Sequence, residues 1–275
     1  MTLLLRDVID VLERLYPPQT AQSWDQVGLV TGDLAQPVER ILLALDPTLE
    51  VIEEARASQA DLLITHHPLL LRGIHSVATT TAKGASVTGL VVGDIALYVA
   101  HTNADVAATG VCEALAAAAG LTVTVPLASV ENQPLGRVGR LSGPTSLGTF
   151  ATSLYAALPA AAAGLRVAGP ADAVVETVAV LGGAGDDQFE AVRASGADVY
   201  VTADLRHHAA LEAREEARGG PPYLVDAGHW SSEAVWLPTL RDALAAALRV
   251  DIDISTVRTD PWTFTVGATT ERGLP

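Results

Sequence analysis

A stretch of this sequence occurs twice. The run Glu53-Glu54-Ala55-Arg56-Ala57-Ser58-Gln59-Ala60-Asp61-Leu62-Leu63-Ile64-Thr65 aligns with Glu190-Ala191-Val192-Arg193-Ala194-Ser195-Gly196-Ala197-Asp198-Val199-Tyr200-Val201-Thr202. Glu, Arg, Ala, Ser, Ala, Asp and Thr are identical at one fixed offset. At that offset Ile41–Leu45 falls on Val178–Gly182, so an apolar run also recurs upstream of each copy. Each copy reads as strand, helix, strand, and a duplicated unit of that kind must bury its apolar faces against neighbours. Strands joined through a helix run parallel, and parallel strands are covered on both faces, which makes their runs continuously aliphatic. Helices and strands alternate around both copies. The chain is therefore expected to be α/β, with two similar lobes, mainly parallel sheets and an internal duplication.

Taken in order, the spacing of Leu5, Val8, Ile9, Leu12 and Leu15 predicts a helix over 3–16, stopped by Pro17-Pro18. Residues 23–33 read as a loop entering a strand, with Trp24 as a core plug. Strands are expected at 41–45, 61–65 and 95–100, a helix at 49–58, and an Ala-rich helix reaching Ala119. The segment 126–144 is rich in Pro, Gly and Asn and lacks periodicity, so the lobe boundary is placed there. Residues 1–126 with 229–275 are assigned to the first lobe and 127–228 to the second. Within the second, Gly182-Gly183-Ala184-Gly185 reads as a tight strand-to-helix turn.

The two copies differ where they end. The first runs Thr65-His66-His67-Pro68, the second Thr202-Ala203-Asp204. Pro68 cannot continue a ladder and turns the chain, and open α/β sheets gather ligands at the carboxyl ends of their strands. The strand at 95–100 runs into His101-Thr102-Asn103-Ala104-Asp105, and the one at 223–225 into Asp226-Ala227-Gly228-His229-Trp230-Ser231-Ser232-Glu233. Imidazoles and carboxylates are the ligands that suit zinc, iron and manganese. His66, His67, Asp105, His229 and Glu233 are therefore candidate metal ligands, placed in the cleft between the lobes. His229 and Glu233 share a face if a helix starts after Gly228. Adjacent side chains diverge in an extended chain, so His66 and His67 are expected to serve two divalent cations, with Asp105 or Glu233 as a bridge. Such a pair sits roughly 3.5–4 Å apart and serves hydrolysis. His101 is a candidate acid/base catalyst or hydrogen-bonding partner to a ligand. His207 and His208, at a helix start, are expected to face solvent.

Charge bounds what such a chain can bind. A formal charge of -15 and a pI near 4.7 argue against general nucleic-acid binding, which needs a basic face. Bound cations could still offset that charge for a phosphorylated small molecule. A single cysteine, Cys112, excludes an internal disulfide framework and fits a reducing cytoplasm. Asp7 comes too early for a signal peptide, and Gly93 and Asp94 interrupt the apolar stretch 87–100, so no membrane span is expected. A soluble cytoplasmic protein is expected, with a small-molecule substrate left open.

Four motifs carry a resemblance: Trp24-Asp25-x-x-Gly28-Leu29, Thr65-His66-His67-Pro68, His101-Thr102-x-x-Asp105 and Gly228-His229-x-x-x-Glu233. In order and spacing they resemble the signature of the Nif-three-like family, whose bacterial members are commonly labelled GTP cyclohydrolase I type 2 homologs. The resemblance spans nearly the whole chain. It implies a dinuclear metal centre held by His66, His67, Asp105, His229 and Glu233, and a toroidal hexamer built as a trimer of dimers. Some members carry a further domain inserted in the middle, for which the span from Pro126 to Gly182 is too short. Trp230 stands where the family often has a small aromatic residue. The label implies hydrolytic opening of the guanine imidazole ring of GTP, with release of formate on the way to dihydroneopterin triphosphate, and His101 as the proton shuttle. A dinuclear-metal phosphohydrolase and a non-catalytic metal-binding scaffold are the alternatives. No lysine or arginine is placed by motif near the ligands, and the groups that would read guanine are not identifiable.

Overall fold

The computed structural model describes residues 2–266. Helix α1 (Leu5–Leu15) buries Leu5, Val8, Ile9 and Leu12, the stripe its spacing dictates. Strands β1 (Gly28–Thr31) and β2 (Arg40–Ala44), helix α2 (Leu49–Ala57), strand β3 (Leu62–Thr65), helix α3 (Ala82–Val92), strand β4 (Ala96–Val99) and helix α4 (Thr102–Val106) follow. Next come helix α5 (Val111–Ala118), strands β5 (Thr122–Val125), β6 (Ala128–Val130), β7 (Gln133–Leu135) and β8 (Arg137–Ser146), and helix α6 (Leu147–Ala157). Strands β9 (Arg166–Ala168) and β10 (Val174–Ala184), helix α7 (Phe189–Ser195), strand β11 (Val199–Ala203), helix α8 (His207–Glu216) and strand β12 (Tyr223–Asp226) continue the chain. Helices α9 (His229–Ala234) and α10 (Leu237–Ala247) and strand β13 (Asp251–Ile254) end the regular structure.

Two large sheets result. The first has the order β1-β4-β3-β2-β13 and is parallel except where β1 meets β4. The second has the order β5-β8-β10-β11-β12-β9, and its parallel pairing is confined to β10–β11 and β11–β12. Its outer strands are antiparallel, β5 and β8 being joined through the short β6–β7 hairpin rather than through a crossover helix.

The duplication is geometric. Ile41 stands opposite Leu62 in the first sheet and Val178 opposite Val199 in the second, the positions that the sequence offset equates. Asp61 Oδ2 accepts hydrogen bonds from the backbone N–H groups of Glu39 and Arg40 at 2.7 and 3.0 Å. Asp198 Oδ2 accepts from Glu176 and Thr177 at 2.9 and 2.8 Å. Ser58 Oγ donates to Ala55 O, and Ser195 Oγ to Val192 O. The shared aspartates thus pin the start of one strand to the next, and the shared serines close the preceding helix.

Each sheet carries a core on both faces. Along β2 and β3, Ile41, Leu43, Leu62 and Ile64 pack with α1 and α10, while Leu42, Ala44 and Leu63 pack with α2 and α3. Val178, Val180, Val199 and Val201 face α6, and Ala179 and Tyr200 face α7. Alternation with period two therefore appears as an unbroken apolar run.

Two local expectations change. Residues 126–144 are largely strand rather than aperiodic linker, and β5, pairing with β8, brings Thr122–Val125 into the second sheet. The polar residues there make the turn of the β6–β7 hairpin, where Glu131 and Asn132 take φ of 49° and 63°. The Ala-rich helix begins only at Val111, as α5, behind the separate short helix α4, and between them the chain packs so closely that a Cβ at Gly110 would lie 1.7 Å from Ala104 O. Among the described residues no helix is long and apolar enough to cross a membrane.

Candidate metal centre

His66 and His67 follow β3, His101 and Asp105 follow β4, and His229 and Glu233 lie on α9. Gly228, with φ of 75°, turns the chain between β12 and that helix. These elements bring the side chains together. His67 Nε2 lies 3.0 Å from Glu233 Oε2 and 3.3 Å from His229 Nε2. His229 Nε2 is 3.1 Å from Glu233 Oε1, and His66 Nε2 is 3.7 Å from both Asp105 Oδ1 and Glu233 Oε1. Ligand atoms of His66, His67 and His101 lie within 4.8 Å of one another, as do those of His67, His229 and Glu233.

The opposite nitrogen of every ring is engaged outside the cluster. His66 Nδ1 donates to Ala100 O at 2.9 Å, His67 Nδ1 to Asp46 at 2.7 Å, His101 Nδ1 to Asp25 at 2.9 Å, and His229 Nδ1 to Asp204 at 2.8 Å. Carbonyls and carboxylates only accept, so each Nδ1 carries a proton and each Nε2 faces inward, the atom that can give its lone pair to a cation once it is deprotonated. Orienting partners of this kind are what metal-bound histidines have. The Nε2 atoms of His67 and His229, only 3.3 Å apart, repel when both are bare and when both are protonated, and a cation shared between them relieves that. Among the described residues His66 Nε2, Asp105 Oδ1 and Glu233 Oε2 are buried without a hydrogen-bond partner, the close approach of His67 to Glu233 Oε2 being poorly directed. Orphaned buried ligand atoms of mixed N/O type fit divalent metal, and the donor set passes that test.

Protons compete for the same atoms. Burial opposes a charge on His67, but the Asp46 and Glu233 carboxylates outweigh it and lift the ring to about 10. Burial likewise opposes a charge on His229, and Glu233 and Asp204 lift it to about 9. Glu233 is held well below the ordinary range: its burial is overcome by His66, His229 and His67. Burial, reinforced by the nearby Glu233 charge, pushes Asp105 well above it. Asp25 is also buried, yet hydrogen bonds from His101 and Thr102 bring it to about 2.

The five candidate ligands are brought to one place, and His101 joins them. The expected divergence of His66 and His67 does not occur, because the strand ends at Thr65 and the rings stand with centroids 5.0 Å apart. Trp24 is not a core plug. It is 51% exposed, meets His101 edge-on at 5.9 Å, and lines a cavity of about 660 Å³ with His67, His101, Asp105, His229 and Glu233. Lys83, the only lysine in the sequence, lines the same cavity, although no motif marked it. His207 and His208 are exposed on α8 and pack on each other.

Sequence reasoning missed Asp46, Asp204 and Gly183. Asp46-Pro47 repeats, after β2, the pattern of His67-Pro68 after β3, and Asp204 occupies the repeat position of His67. Gly183 is not part of a simple turn: β10 continues through it, and with φ of 66° it approaches the cluster so closely that a Cβ would lie 2.2 Å from Glu233 Oε1.

The model of the Duf34/NIF3 family (NGG1p interacting factor 3) matches residues 3–261. A Streptomyces coelicolor protein named GTP cyclohydrolase 1 type 2 homolog is 46% identical over 276 residues, covering 96% of this chain and 95% of the relative. A protein of the same name from Mycobacterium bovis is 34% identical over 375 aligned residues, covering 95% and 97%, so that relative carries sequence this chain lacks. The crystal structure of a Bacillus cereus protein related to NIF3 superposes with a TM-score of 0.86 at 27% identity, covering 96% of this chain and all of that one.

Proposed function

The chain belongs to the Duf34/NIF3 family, and on that premise we propose that it is a hydrolase dependent on two divalent cations, held by His66, His67, Asp105, His229 and Glu233. One observation carries this reading: inward-facing Nε2 atoms, each fixed from behind through Nδ1, around buried carboxylate oxygens that have no donor. When bound, the cations would supply the Lewis acidity that activates water near neutral pH and stabilises a developing oxyanion. His101, steadied by Asp25, which also accepts from Thr102, presents Nε2 to the cavity and would carry a proton to or from the reacting group. Trp24 offers a face for a heterocycle and Lys83 a cation for a phosphate.

These features favour a nucleotide or related heterocycle, and the name of the Streptomyces relative makes ring opening of GTP the first reaction to try. Lys83 also favours the second reading, a dinuclear-metal phosphohydrolase. A hexamer, a trimer of dimers in the cytoplasm, is the assembly we propose, and sedimentation would test it. Freshly purified protein should contain close to two metal equivalents per chain and turn over GTP or a member of a nucleotide and phosphoester panel. Both metal and turnover should be lost in His66→Ala and Glu233→Ala. Fully metallated protein that acts on none of these compounds would end the hydrolase reading and leave a metal-binding scaffold. His101→Gln separates two roles: retained metal with lost turnover assigns proton transfer, and loss of a metal equivalent assigns ligation.

A further inference from the structure

The loop that carries Trp24 and Asp25 is tied at its root to α4, beside the first sheet, and at its tip to a hairpin of the second. At the root, Thr102 Oγ1 accepts from Gln22 N–H at 2.9 Å and donates to Asp25 Oδ2, while Asp25 N–H donates to Gln22 O at 3.0 Å. Gln22 Oε1 accepts from Trp24 Nε1 at 2.7 Å, which sets the rotation of the indole. At the tip, Glu131 accepts twice from Ser23: Oε2 from the backbone N–H at 2.8 Å and Oε1 from Oγ at 2.7 Å. Glu131 lies in the turn of the β6–β7 hairpin, whose Val130 and Leu135 line the same cavity as Trp24.

Glutamate is a poor residue for that turn. A two-residue hairpin turn with positive φ at both positions selects Asn and Gly. Asn132 fits this, but Glu131 takes φ of 49°, a conformation that glycine adopts without strain. What glycine lacks is the carboxylate, and both of its oxygens go to Ser23. Two bonds to a charged acceptor hold a residue more firmly than bonds to a neutral one. Ser23 and Glu131 are both exposed, so their contact adds little to global stability and governs the local order of the loop tip instead.

We propose that Glu131 is a positioning residue that latches Trp24 into the cavity wall and thereby sets the affinity for a stacked heterocycle. A wall held in place beforehand removes an ordering cost from binding. The latch acts on the loop tip alone. Asp25 keeps its bonds to His101 and Thr102 without it, so the proton-transfer pair is untouched. The effect on affinity rests on the nucleotide reading of this cavity, whereas the latch itself does not.

The test uses Glu131→Gly in the full chain, a change that the left-handed φ favours, so the hairpin persists. Time-resolved fluorescence anisotropy of Trp24 is taken as the difference between each protein and its Trp24→Phe counterpart. Removing the latch should add a nanosecond component to that decay. Ser23→Ala, which keeps the backbone donor, should add a smaller one. GTP is the binding probe, its affinity read as Kd or, where it is turned over, as KM. Glu131→Gly should weaken GTP about three- to tenfold, less than Trp24→Ala does, and should cause no further loss in the Trp24→Ala background. Metal content and kcat should stay within about twofold. An unchanged anisotropy decay overturns the latch, and so does an unaltered GTP affinity. Equal weakening with and without Trp24 overturns it too, because Glu131 would then act elsewhere. Unsubstituted protein that binds no GTP would end the nucleotide reading instead, and the anisotropy alone would then decide the latch.

Discussion

The two copies of the strand–helix–strand unit share a scaffold and differ in what they hold at their tips. Asp61 and Asp198 make the same pair of backbone hydrogen bonds at the amino ends of β3 and β11. At the carboxyl ends, the first copy presents His66 and His67, and the second presents Ala203 and Asp204. Asp204, standing where the first copy has His67, holds His229 by Nδ1. One copy faces the centre directly and the other steadies a ring that does. Strand starts therefore carry folding information and strand ends carry chemistry, and the two can change separately.

The largest effect that would break this contrast comes from Glu233, which touches His67 and His229 and lies near His66. Glu233→Ala should lose bound metal altogether, measured by elemental analysis, and full retention would show that the tips of the first copy suffice alone. The next is pH. His67 at about 10 and His229 at about 9 both lie above the ordinary histidine value of 6.5, so their protonated forms stabilise the metal-free fold fully below about 6.5. That stabilisation is lost as pH rises through 9 and 10. Metal must displace both protons, so apparent affinity should rise with pH by about a hundredfold per unit below pH 9, read by competition with a chromophoric chelator. A flat profile would mean that the rings are not ligands.

Smaller effects sharpen the comparison. Asp46→Ala and Asp204→Ala should each weaken metal about 10- to 100-fold. Asp46 should cost more, its side chain being 27% exposed against 56% for Asp204. Equal losses would erase the distinction between a buried and an open support. Asp61→Ala and Asp198→Ala should each destabilise by about 2 kcal/mol in denaturant titrations without altering metal content. Unequal effects would show that the shared clamp matters more to one sheet than to the other.

Much of this was legible in the residues themselves. Leu62–Thr65 and Val199–Ala203 are buried throughout and apolar but for one threonine each, because both faces of each sheet are packed, and the abrupt change at His66-His67-Pro68 marks a strand end. The supports were harder to see, since Asp46-Pro47 and Asp204 read as turn residues until the neighbouring ring is known. Strand β8 was hidden because Gly136, Gly139, Gly143 and Pro144 break any pattern, although hairpin geometry and close strand approach require such residues. Lys83 came from a stretch without periodicity, and the packing of α3 against α2, β4 and β1 brings it to the cavity.

The order in which the ribosome delivers these parts has a consequence. His66 and His67 emerge early, but the first sheet lacks its edge strand until β13 pairs with β2, and His67 lacks part of its outer brace until Thr259 reaches Asp46. The second sheet, bounded by β5 and β9, can be complete before that. The lobe whose translation begins first is therefore the last to be finished, and a nascent chain halted before residue 229 displays the paired imidazoles without His229 or Glu233 to complete their grip.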